Sequence, residues 1–522
     1  MLTMSDFQTI STDHAGYMRD ESRRTGHAET ISFPTSESAL AANLKKAASA
    51  GNKVTLQGAL TGITAGAVPF GGHIINLARM DRILNLKRST DGLYTMTVQP
   101  GVLLADLNKR LQDFKFCTNG WDDESVAALK SLQSDKPHFF APDPTEASAS
   151  IGGMVACNAS GARSFLYGPT RTHILRIRGV LADGSVFELY RGREKSNGRS
   201  LDITTIDGRK ITGLIPSYRM PGVKNASGYF ATEDMDIIDI LIGSEGTLCA
   251  FSEIDLKLLP CPQWMAGILA YFPDEDSAVK FVEQTRLLTP KPAAIEFFDS
   301  GSLNLLRRNA ANPVLEDIPI PAKGIDSAVY VELHSNNERE FDEAIEKTAE
   351  LIAQTGGDAD SAIMATDHRE IEKLKKFRHA VPEMANMTIG ERKKTIPDIT
   401  KLGTDFAVPA SALTSMLRAY HAAMAKSGHE YVIFGHIGDS HVHVNILPRN
   451  KAEFDSGKMQ ILEWAKQVVH LGGTVSAEHG VGKIKVALLK AMYGEKGISE
   501  MKALKKSFDP DFSINPGNLF EL

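Results

Sequence analysis

The side chains best suited to hold a metal ion lie in two short segments of the C-terminal half. They are His436, His441, His443, Glu478 and His479. Imidazole and carboxylate suit Zn²⁺, Mn²⁺ or Fe²⁺, and two histidines with one carboxylate and open positions form a common type of catalytic site. A lone histidine is more often structural, but this density of candidates favours a metal centre.

Residue spacing leaves two ligand pairs open. His441 and His443 are two residues apart, so on a strand they share one face. His436 and His443 are seven residues apart, and they converge only if Gly438-Asp439 makes a turn between two strands. His479 follows the candidate carboxylate directly. It is the best candidate for a general base, because imidazole titrates near neutral pH.

Three loops rich in small residues predict a bound dinucleotide. They lie at Val54–Pro69, Pro142–Gly168 and Ile242–Leu248. Glycine lets backbone N–H groups approach a ligand closely, and consecutive N–H groups form a nest for phosphate. The first loop does not read GxGxxG with an acidic residue about 20 positions later, so the nicotinamide fingerprint is absent.

The elements that must position these residues follow from local patterns. Short β-branched runs between turns predict strands, and apolar residues at helical spacing predict helices. Up to Pro262 the predicted strands are Lys53–Leu56, His73–Leu77, Tyr94–Val98 and Ile174–Leu181, and the predicted helices are Ser36–Ala50 and Leu103–Gln112. Asp183-Gly184 predicts a tight turn that joins Ile177–Leu181 to Ser185–Tyr190 in a hairpin.

From Trp264 onward, strands and helices alternate, which predicts an α+β domain with an open sheet. The predicted strands are Ile268–Phe272, Ala293–Phe298, Ala328–Leu333 and, by strand character, Tyr431–Leu447. The predicted helices are Ser277–Leu288, Glu338–Gln354, Met459–Leu471 and Ile484–Met492.

Composition excludes several classes of protein. A chain of 522 residues predicts two or three domains, and a net charge of -6 without a basic block argues against a nucleic-acid partner. Four cysteines without a CxxC pair disfavour a disulfide scaffold, a zinc ribbon and an iron–sulfur site. No signal peptide or spanning apolar segment is recognisable, so we expect a cytoplasmic protein; attachment to a membrane through a partner stays open.

Taken together, these motifs resemble the FAD-binding oxidase family typified by vanillyl-alcohol oxidase. The closer likeness is to its D-lactate, D-2-hydroxyglutarate and glycolate dehydrogenase branch. The motifs, spread between about Thr30 and Leu522, are QGALTGITAGAVP, VQPGV, IGGMVACNASG, GSEGTL, GHIGDSHVHVN, SAEHGVGK and NPGNLF. The resemblance implies an α+β fold with a two-subdomain FAD-binding domain of the PCMH type at 1–262. A cap domain at 263–470 would hold the substrate and the metal-site histidines on an open antiparallel sheet, and 471–522 would pack back on the FAD domain.

The resemblance also implies FAD bound without a covalent link, since no histidine occupies the first glycine loop. The residues that match flavin-binding positions are Gly58, Thr61, Gly62, Thr64, Pro142, Asp143, Thr145, Gly152, Gly153, Asn158, Ser160, Gly161, Tyr167, Glu245, Gly246, Thr247 and Asn515. Ala59-Leu60 stands where relatives often have two glycines.

For the metal, the resemblance selects His436, His443 and Glu478, with Zn²⁺ expected first and Mn²⁺ or Fe²⁺ as alternatives. His441 stands where relatives commonly have asparagine, so it would add a ligand or a substrate contact. Arg378 matches a carboxylate-binding arginine and Asn445 a polar residue near the substrate, and with His479 they are the catalytic candidates.

The expected activity is FAD-dependent, metal-assisted oxidation of a D-2-hydroxy acid to the 2-oxo acid. The substrate would chelate the metal, His479 would take the hydroxyl proton, and the C2 hydride would pass to flavin N5. D-lactate is favoured because Gly403–Pro409 lacks the lysine of relatives specific for D-2-hydroxyglutarate, although Lys401 is close. D-2-hydroxyglutarate and glycolate remain alternatives.

The electron acceptor stays open among a quinone, a cytochrome and an electron-transferring flavoprotein, and a homodimer is also left open. Two other enzyme classes compete with the dehydrogenase. A metallohydrolase would use the same cluster but would lack the yellow colour of flavin. An ether-lipid synthase-like flavoenzyme would have a histidine run where this chain has Ala477-Glu478-His479, which argues against it. A flavin-binding subunit without catalysis is disfavoured because the histidine cluster is present.

Overall fold

The computed structural model describes residues 7–521, whose N-terminal half forms two sheets and a separate hairpin. The strands of this half are β1 Gln8–Thr9, β2 Thr30–Ser32, β3 Val54–Gln57, β4 His73–Asn76, β5 Ile83–Arg88, β6 Tyr94–Val98, β7 His138–Phe139, β8 Ile174–Val180, β9 Val186–Tyr190, β10 Ser200–Thr204, β11 Lys210–Leu214 and β12 Ala250–Pro260. The helices are α1 Glu37–Ser49, α2 Leu104–Asp113, α3 Asp123–Ser134, α4 Ile151–Cys157, α5 Ser164–Tyr167 and α6 Ile238–Leu241.

The two sheets of this half differ in strand direction. In the first, of order β1-β2-β4-β3, β2 and β3 run parallel to β4. In the second, of order β5-β6-β12-β8-β9, every pair is antiparallel, and β7 joins β12. The strands and helices predicted here from the sequence are present with ends displaced by at most one residue. The predicted hairpin joins β8 to β9, and Gly184 in its turn has a φ of 84°.

The C-terminal half contains one eight-stranded sheet with helices on both faces. Its strands are β13 Trp264–Phe272, β14 Ala294–Phe298, β15 Ser327–Ser335, β16 Ile363–Ala365, β17 Leu402–Gly403, β18 Phe406–Ala407, β19 Tyr431–Gly435 and β20 His441–Ile446. The helices are α7 Glu275–Thr285, α8 Ser300–Arg308, α9 Glu338–Gln354, α10 His368–Lys393, α11 Leu413–Ser427, α12 Lys451–His470 and α13 Val486–Phe508.

All strand pairs in this sheet are antiparallel, in the order β16-β13-β15-β14-β19-β20-β17 with β18 on β20. The open antiparallel sheet expected for this half is confirmed. Alternate residues of β13 face opposite cores: Ile268 packs with α7 and α9, whereas Leu269 packs with α8 and α10. The sheet therefore fixes α10, which bears Arg378.

The last predicted helix is longer than Ile484–Met492, because α13 continues to Phe508 after a break at Gly494, whose φ is 66°. After α13, Ser513 O accepts a hydrogen bond from Val54 N, and Asn515 N donates to Val54 O. The chain end thus returns to β3 beside the first glycine loop. Within residues 7–521, the helices are too short or too polar to cross a membrane.

Candidate functional site

The turn between β19 and β20 brings two of the candidate ligands together. These strands pair antiparallel, with Phe434 opposite His443, and a single 3-10 turn at Ile437–Asp439 joins them. Gly435 just before the turn has a φ of 124°, and a Cβ there would lie 2.9 Å from His443 Cδ2. Glycine is therefore needed at position 435, and the hairpin turn required for His436 and His443 to converge is present.

Asp405 fixes the loop that bears Glu478 and His479. Its carboxylate accepts backbone N–H groups from these two residues at 3.2 and 3.1 Å. It also accepts from Ser476 Oγ at 2.7 Å and from Lys485 Nζ at 2.6 Å. The loop is thereby held against the hairpin.

His436, His441, His443 and Glu478 converge at one place. Each offers one ligand atom, and these atoms all lie within 4.8 Å of one another. His436 Nε2 is 3.1 Å from Glu478 Oε2, and His443 Nε2 is 3.9 Å from the same oxygen. The two pairs that the spacing left open thus lie at one place, because the strand face and the turn both lie beside Glu478.

Two acceptors orient the ring nitrogens of His436 and His443. His436 Nδ1 lies 2.7 Å from Glu296 Oε1. His443 Nδ1 donates to Thr404 O at 3.0 Å, which leaves Nε2 free to bind a metal. Ring nitrogens held by a carboxylate or a carbonyl are typical of metal-binding histidines.

The electrostatics of the cluster follow from burial and close charges. Burial would raise the pKa of Glu478, but His436 and Lys224 hold it well below its usual range. Burial would lower the pKa of His436, but Glu296 and Glu478 raise it to about 9. Burial also lowers the pKa of His443 and of His479. The deprotonated carboxylate of Glu478 and the neutral imidazoles of His443 and His479 are the forms that bind metal or accept protons, whereas His436 must release its proton to bind a metal.

Besides Asp405, two charged residues of this site were missed in the sequence. Glu296 is the only charged residue of β14 and is 3% exposed, and a lone acid in an apolar strand was the available signal. Lys224 lies in an irregular segment where nothing in the sequence marked it. Its Nζ donates to Glu478 Oε1 and, at 3.0 Å, to Gly161 O.

Arg378 is part of the site and not of the solvent-exposed face of its helix. Its side chain is 8% exposed, and Nε lies 3.5 Å from Glu296 Oε2. Arg378, Asn445 and His479 line the same cleft as the metal candidates His436, His443 and Glu478. A carboxylate in this cleft therefore has a guanidinium within reach of the histidine cluster.

This cleft has a volume of about 1370 Å³ and lies between the glycine loops and the C-terminal sheet. The predicted flavin-binding residues among its lining are Gly58, Thr61, Gly62, Thr64, Thr145, Gly152, Gly153, Ser160, Glu245, Gly246 and Asn515. Its size exceeds the usual 300–1,000 Å³ of a small-ligand pocket, as a dinucleotide requires.

The glycines of the first two loops permit close contact with neighbouring parts of the chain. A Cβ on Gly58 would lie 2.3 Å from Ser150 Oγ, and one on Gly152 would lie 2.6 Å from Pro100 Cβ. Leu60 takes a left-handed φ of 62°, a conformation that glycine adopts most readily. The loop therefore keeps a glycine-like backbone without the glycine.

The other predicted flavin-binding residues lie outside the cleft lining: Pro142, Asp143, Asn158, Gly161, Tyr167 and Thr247. Thr247 donates its hydroxyl to Ser244 O at 2.7 Å, and Asn158 accepts from Arg171 N at 2.9 Å. Tyr167 Oη lies 2.7 Å from His334 Nδ1. These side chains shape the loops around the cleft.

Glu245 and Asn515 connect the cleft loops to each other. Glu245 accepts a hydrogen bond from Gly482 N at 2.7 Å, so the third glycine loop holds the segment after His479. Asn515 donates from Nδ2 to Glu245 O at 2.9 Å and accepts from Leu56 N at 2.7 Å. The residues present thus fit a dinucleotide in the cleft and a divalent metal at the histidine cluster.

Two protein families match this chain. The family described as "FAD binding domain" matches residues 28–131 and 124–190. The family described as "FAD linked oxidases, C-terminal domain" matches residues 261–519. The two matches fall on the two halves of the fold.

Similar proteins share about a quarter of their residues with this chain. A glycolate oxidase subunit from Bacillus subtilis is 27% identical over 89% of this chain and 83% of that protein. A D-lactate dehydrogenase from Anaerostipes hadrus is 26% identical over 89% of this chain and 84% of that protein. A D-2-hydroxyglutarate dehydrogenase from Stutzerimonas stutzeri is 27% identical over 90% of this chain and 86% of that protein. A solved alkyldihydroxyacetonephosphate synthase superposes with a TM-score of 0.58 at 14% identity, covering 95% and 77% of the two chains, which supports the fold.

Proposed function

The protein belongs to the family of FAD-linked oxidases and is an FAD-linked hydroxyacid oxidoreductase, and from that premise we propose that it dehydrogenates a D-2-hydroxy acid with help from a bound divalent metal. The observation that carries the proposal is one cleft that contains the glycine loops, Arg378 and the cluster of His436, His443 and Glu478. FAD supplies the hydride acceptor at N5, and the metal would supply a Lewis acid for the substrate hydroxyl.

The chain's own residues would bind, orient and deprotonate the substrate. Arg378 would pair with the substrate carboxylate, since its planar fork binds a carboxylate through two hydrogen bonds. His479 would take the hydroxyl proton, and Asp405 holds its backbone in place. Asn445, 3% exposed beside the cleft, would hydrogen-bond the substrate.

We propose that 1–262 form the FAD-binding domain, 263–470 the substrate domain, and 471–522 a segment that packs back on the flavin loops. The hydrogen bonds of Asn515 to Leu56 and Glu245 support the last assignment. FAD would be held without a covalent bond. Acid denaturation should therefore release all flavin into the supernatant, and flavin that stays with the precipitated polypeptide would contradict this.

D-lactate is the proposed substrate, with Zn²⁺ as the first candidate metal and Mn²⁺ or Fe²⁺ next. A dicarboxylate such as D-2-hydroxyglutarate is the second candidate, because Lys401 lines the cleft. Burial and then Arg23 lower the pKa of this lysine to about 8. Reduced FAD would pass its electrons to a quinone, a cytochrome or an electron-transferring flavoprotein.

A dye-reduction screen of D- and L-2-hydroxy acids, with and without a chelator, tests the proposed activity. D-lactate should give the highest kcat/KM, and the chelator should remove turnover while the flavin absorbance remains. Turnover that a chelator leaves unchanged would exclude metal assistance, and preference for L-acids would exclude the proposed substrate class.

Single variants separate the metal ligands from the base. Alanine at His436, His443 or Glu478 should remove bound metal and most turnover, with FAD content unchanged. His479→Ala should keep the metal and lose about 10²–10⁴-fold in kcat, the usual size of a proton-transfer contribution. Part of that loss should be recovered at high pH, where hydroxide takes the proton. Full metal occupancy in His436→Ala would refute the ligand assignment.

A further inference from the structure

His441 is the one histidine of the cluster without an assigned role. It is the first residue of β20 and is 0% exposed. Its ring centroid lies 4.5 Å from that of His443 and 5.3 Å from that of His436. His441 therefore lies beside the cleft-lining histidines and has no contact with solvent.

One ring nitrogen of His441 has unmet bonding capacity. Nε2 lies 3.1 Å from the carboxylate oxygen Oδ1 of Asp405. Nδ1 has no hydrogen-bond partner among the described residues. A buried ring nitrogen without a partner is costly, so a group that accepts its lone pair is expected.

His441, like its two neighbours, has an oxygen beside one ring nitrogen. His436 has Glu296, and His443 has Thr404 O, on the ring nitrogen that faces away from Glu478. For His441, the nearby oxygen belongs to Asp405. An imidazole with an oxygen beside one nitrogen and an unpartnered second nitrogen, next to other such imidazoles, has the environment of a metal ligand.

We propose that His441 is a fourth protein ligand, so that the metal is bound by His436, His441, His443 and Glu478. This inference rests on the proposed metal site. These four side chains would hold the metal, and the metal would supply a Lewis acid for the hydroxyl of a 2-hydroxy acid bound in the cleft. Three imidazoles also favour Zn²⁺ over Mn²⁺, because nitrogen ligands bind the later metal more tightly.

Pairing with Asp405 alone is the competing role for His441. Asp405 already holds the backbone of Glu478 and His479 and accepts from Lys485. In that role His441 would position the loop of Glu478 and His479 and would not itself bind the metal. The number of imidazoles bound to the metal separates the two roles.

The experiment uses purified holoprotein loaded with Zn²⁺, in the wild type and in His441→Asn, His441→Ala and His443→Ala. Chelator competition gives the dissociation constant of Zn²⁺, and X-ray absorption at the zinc edge counts bound imidazoles without interference from flavin. His173→Ala is the matched control, because His173 is also buried with an unpartnered Nδ1 but lies outside the cluster. FAD content and melting temperature check that each variant is folded.

We expect three bound imidazoles in the wild type and two in His441→Asn. The dissociation constant should rise at least about 100-fold in both His441 variants, beyond the 10- to 100-fold typical of an indirect partner. An unchanged imidazole count in His441→Asn overturns the inference, whatever happens to affinity. If His443→Ala loses zinc while His441→Ala binds it as tightly as the wild type, the metal site stands and only the His441 assignment fails. A wild type that binds no zinc overturns both.

Discussion

At the scale of single residues, neighbours decide which groups are available for chemistry. Glu478 is deprotonated because His436 and Lys224 offset its burial. His479 is neutral because burial disfavours its charged form. Arg378 stays charged despite burial, which would lower its pKa, because Glu296 and Asp143 raise it. The same residue types on an exposed face would have none of these properties.

Arg378→Lys tests the proposed carboxylate contact. Lysine keeps the charge but loses the two-pronged fork, and a lost charge-assisted hydrogen bond costs roughly 1.5–3 kcal/mol. We therefore expect kcat/KM for D-lactate to fall about 10- to 150-fold, with FAD content unchanged. Steady-state kinetics measure the effect, and Arg369→Lys, at an exposed position of the same helix, is the control. Equal kcat/KM values for the two variants would show that Arg378 does not bind the substrate carboxylate.

At the scale of elements, a hairpin and a loop assemble the cluster. The β19–β20 hairpin supplies His436, His441 and His443, and the segment after Gly473 supplies Glu478 and His479. Asp405 and Glu245 hold that segment by accepting its backbone N–H groups. The site thus depends on backbone geometry as much as on the ligands.

Gly435→Ala should damage the metal site without touching a ligand. The new Cβ would lie 2.9 Å from His443 Cδ2, at a φ of 124° that favours glycine. We expect zinc affinity to fall at least about 10-fold, a size typical of disturbed ligand orientation. Gly428→Ala is the control, because Gly428 has a φ of 69° but no atom within 4 Å of its Cβ. Chelator competition on both variants measures the effect, and equal affinities would show that the clash is absorbed elsewhere.

The N-terminal sheet should lose stability in acid because of His73. This ring stacks on Phe7 with centroids 3.5 Å apart, and its nitrogens lie 2.8 Å from the hydroxyls of Thr30 and Ser32. Burial, then Lys46, lowers the pKa of His73 to about 3. As pH falls from about 6.5 to 3, the imidazole of residue 73 takes up a proton in the unfolded chain but not in the folded protein. The stability that the neutral His73 contributes above pH 6.5 is therefore lost over that range.

His73→Gln should therefore make the free energy of unfolding less dependent on pH. Between about pH 6 and pH 4, the wild type should lose up to about 1.4 kcal/mol per pH unit more than this variant. Denaturant unfolding at several pH values measures the slopes, with the exposed His470→Gln as control. Identical slopes for the wild type and His73→Gln would contradict the assignment.

At the scale of the whole molecule, a buried ionic network joins the two halves beside the cleft. Arg163 of the N-terminal half donates to Glu332 of β15 from Nε at 2.8 Å and from Nη2 at 2.6 Å. Glu332 also contacts His334, which in turn contacts Tyr167. The site lies between the halves, so their alignment determines its geometry.

Glu332→Gln should weaken this connection. The change leaves Arg163, whose side chain is 19% exposed, without its main counter-charge. Breaking a buried pair costs about 3–5 kcal/mol, and partial exposure of Arg163 places the expected loss near 3 kcal/mol of unfolding free energy. Glu343→Gln is the control, since its pair with Arg339 is exposed and such pairs contribute about 0–1 kcal/mol. Similar losses in the two variants would show that the network does not stabilise the alignment.

The sequence by itself determined the family resemblance, the open sheet of the C-terminal half and most elements. Those features depend on local patterns: glycine spacing in the loops, β-branched runs in the strands, and the Asp183-Gly184 turn. It also singled out His436, His443 and Glu478, since ligand types and motifs are local properties of the chain.

Only the tertiary structure decided which residues meet. Glu296, Lys224 and Asp405 are distant in sequence from Glu478, so no spacing rule marks them as its neighbours. In the sequence, His441 with His443 on one strand face and His436 with His443 across a turn were alternative ligand pairs. Both pairs lie together in the structure, because β20 and the hairpin turn lie beside the same carboxylate, that of Glu478. Thr247 and Tyr167, which match flavin-binding positions, hydrogen-bond Ser244 and His334, and these partners were not marked in the sequence. The physical reason is that burial and long-range packing, which a linear pattern does not contain, set both the partners and the charge states of these groups.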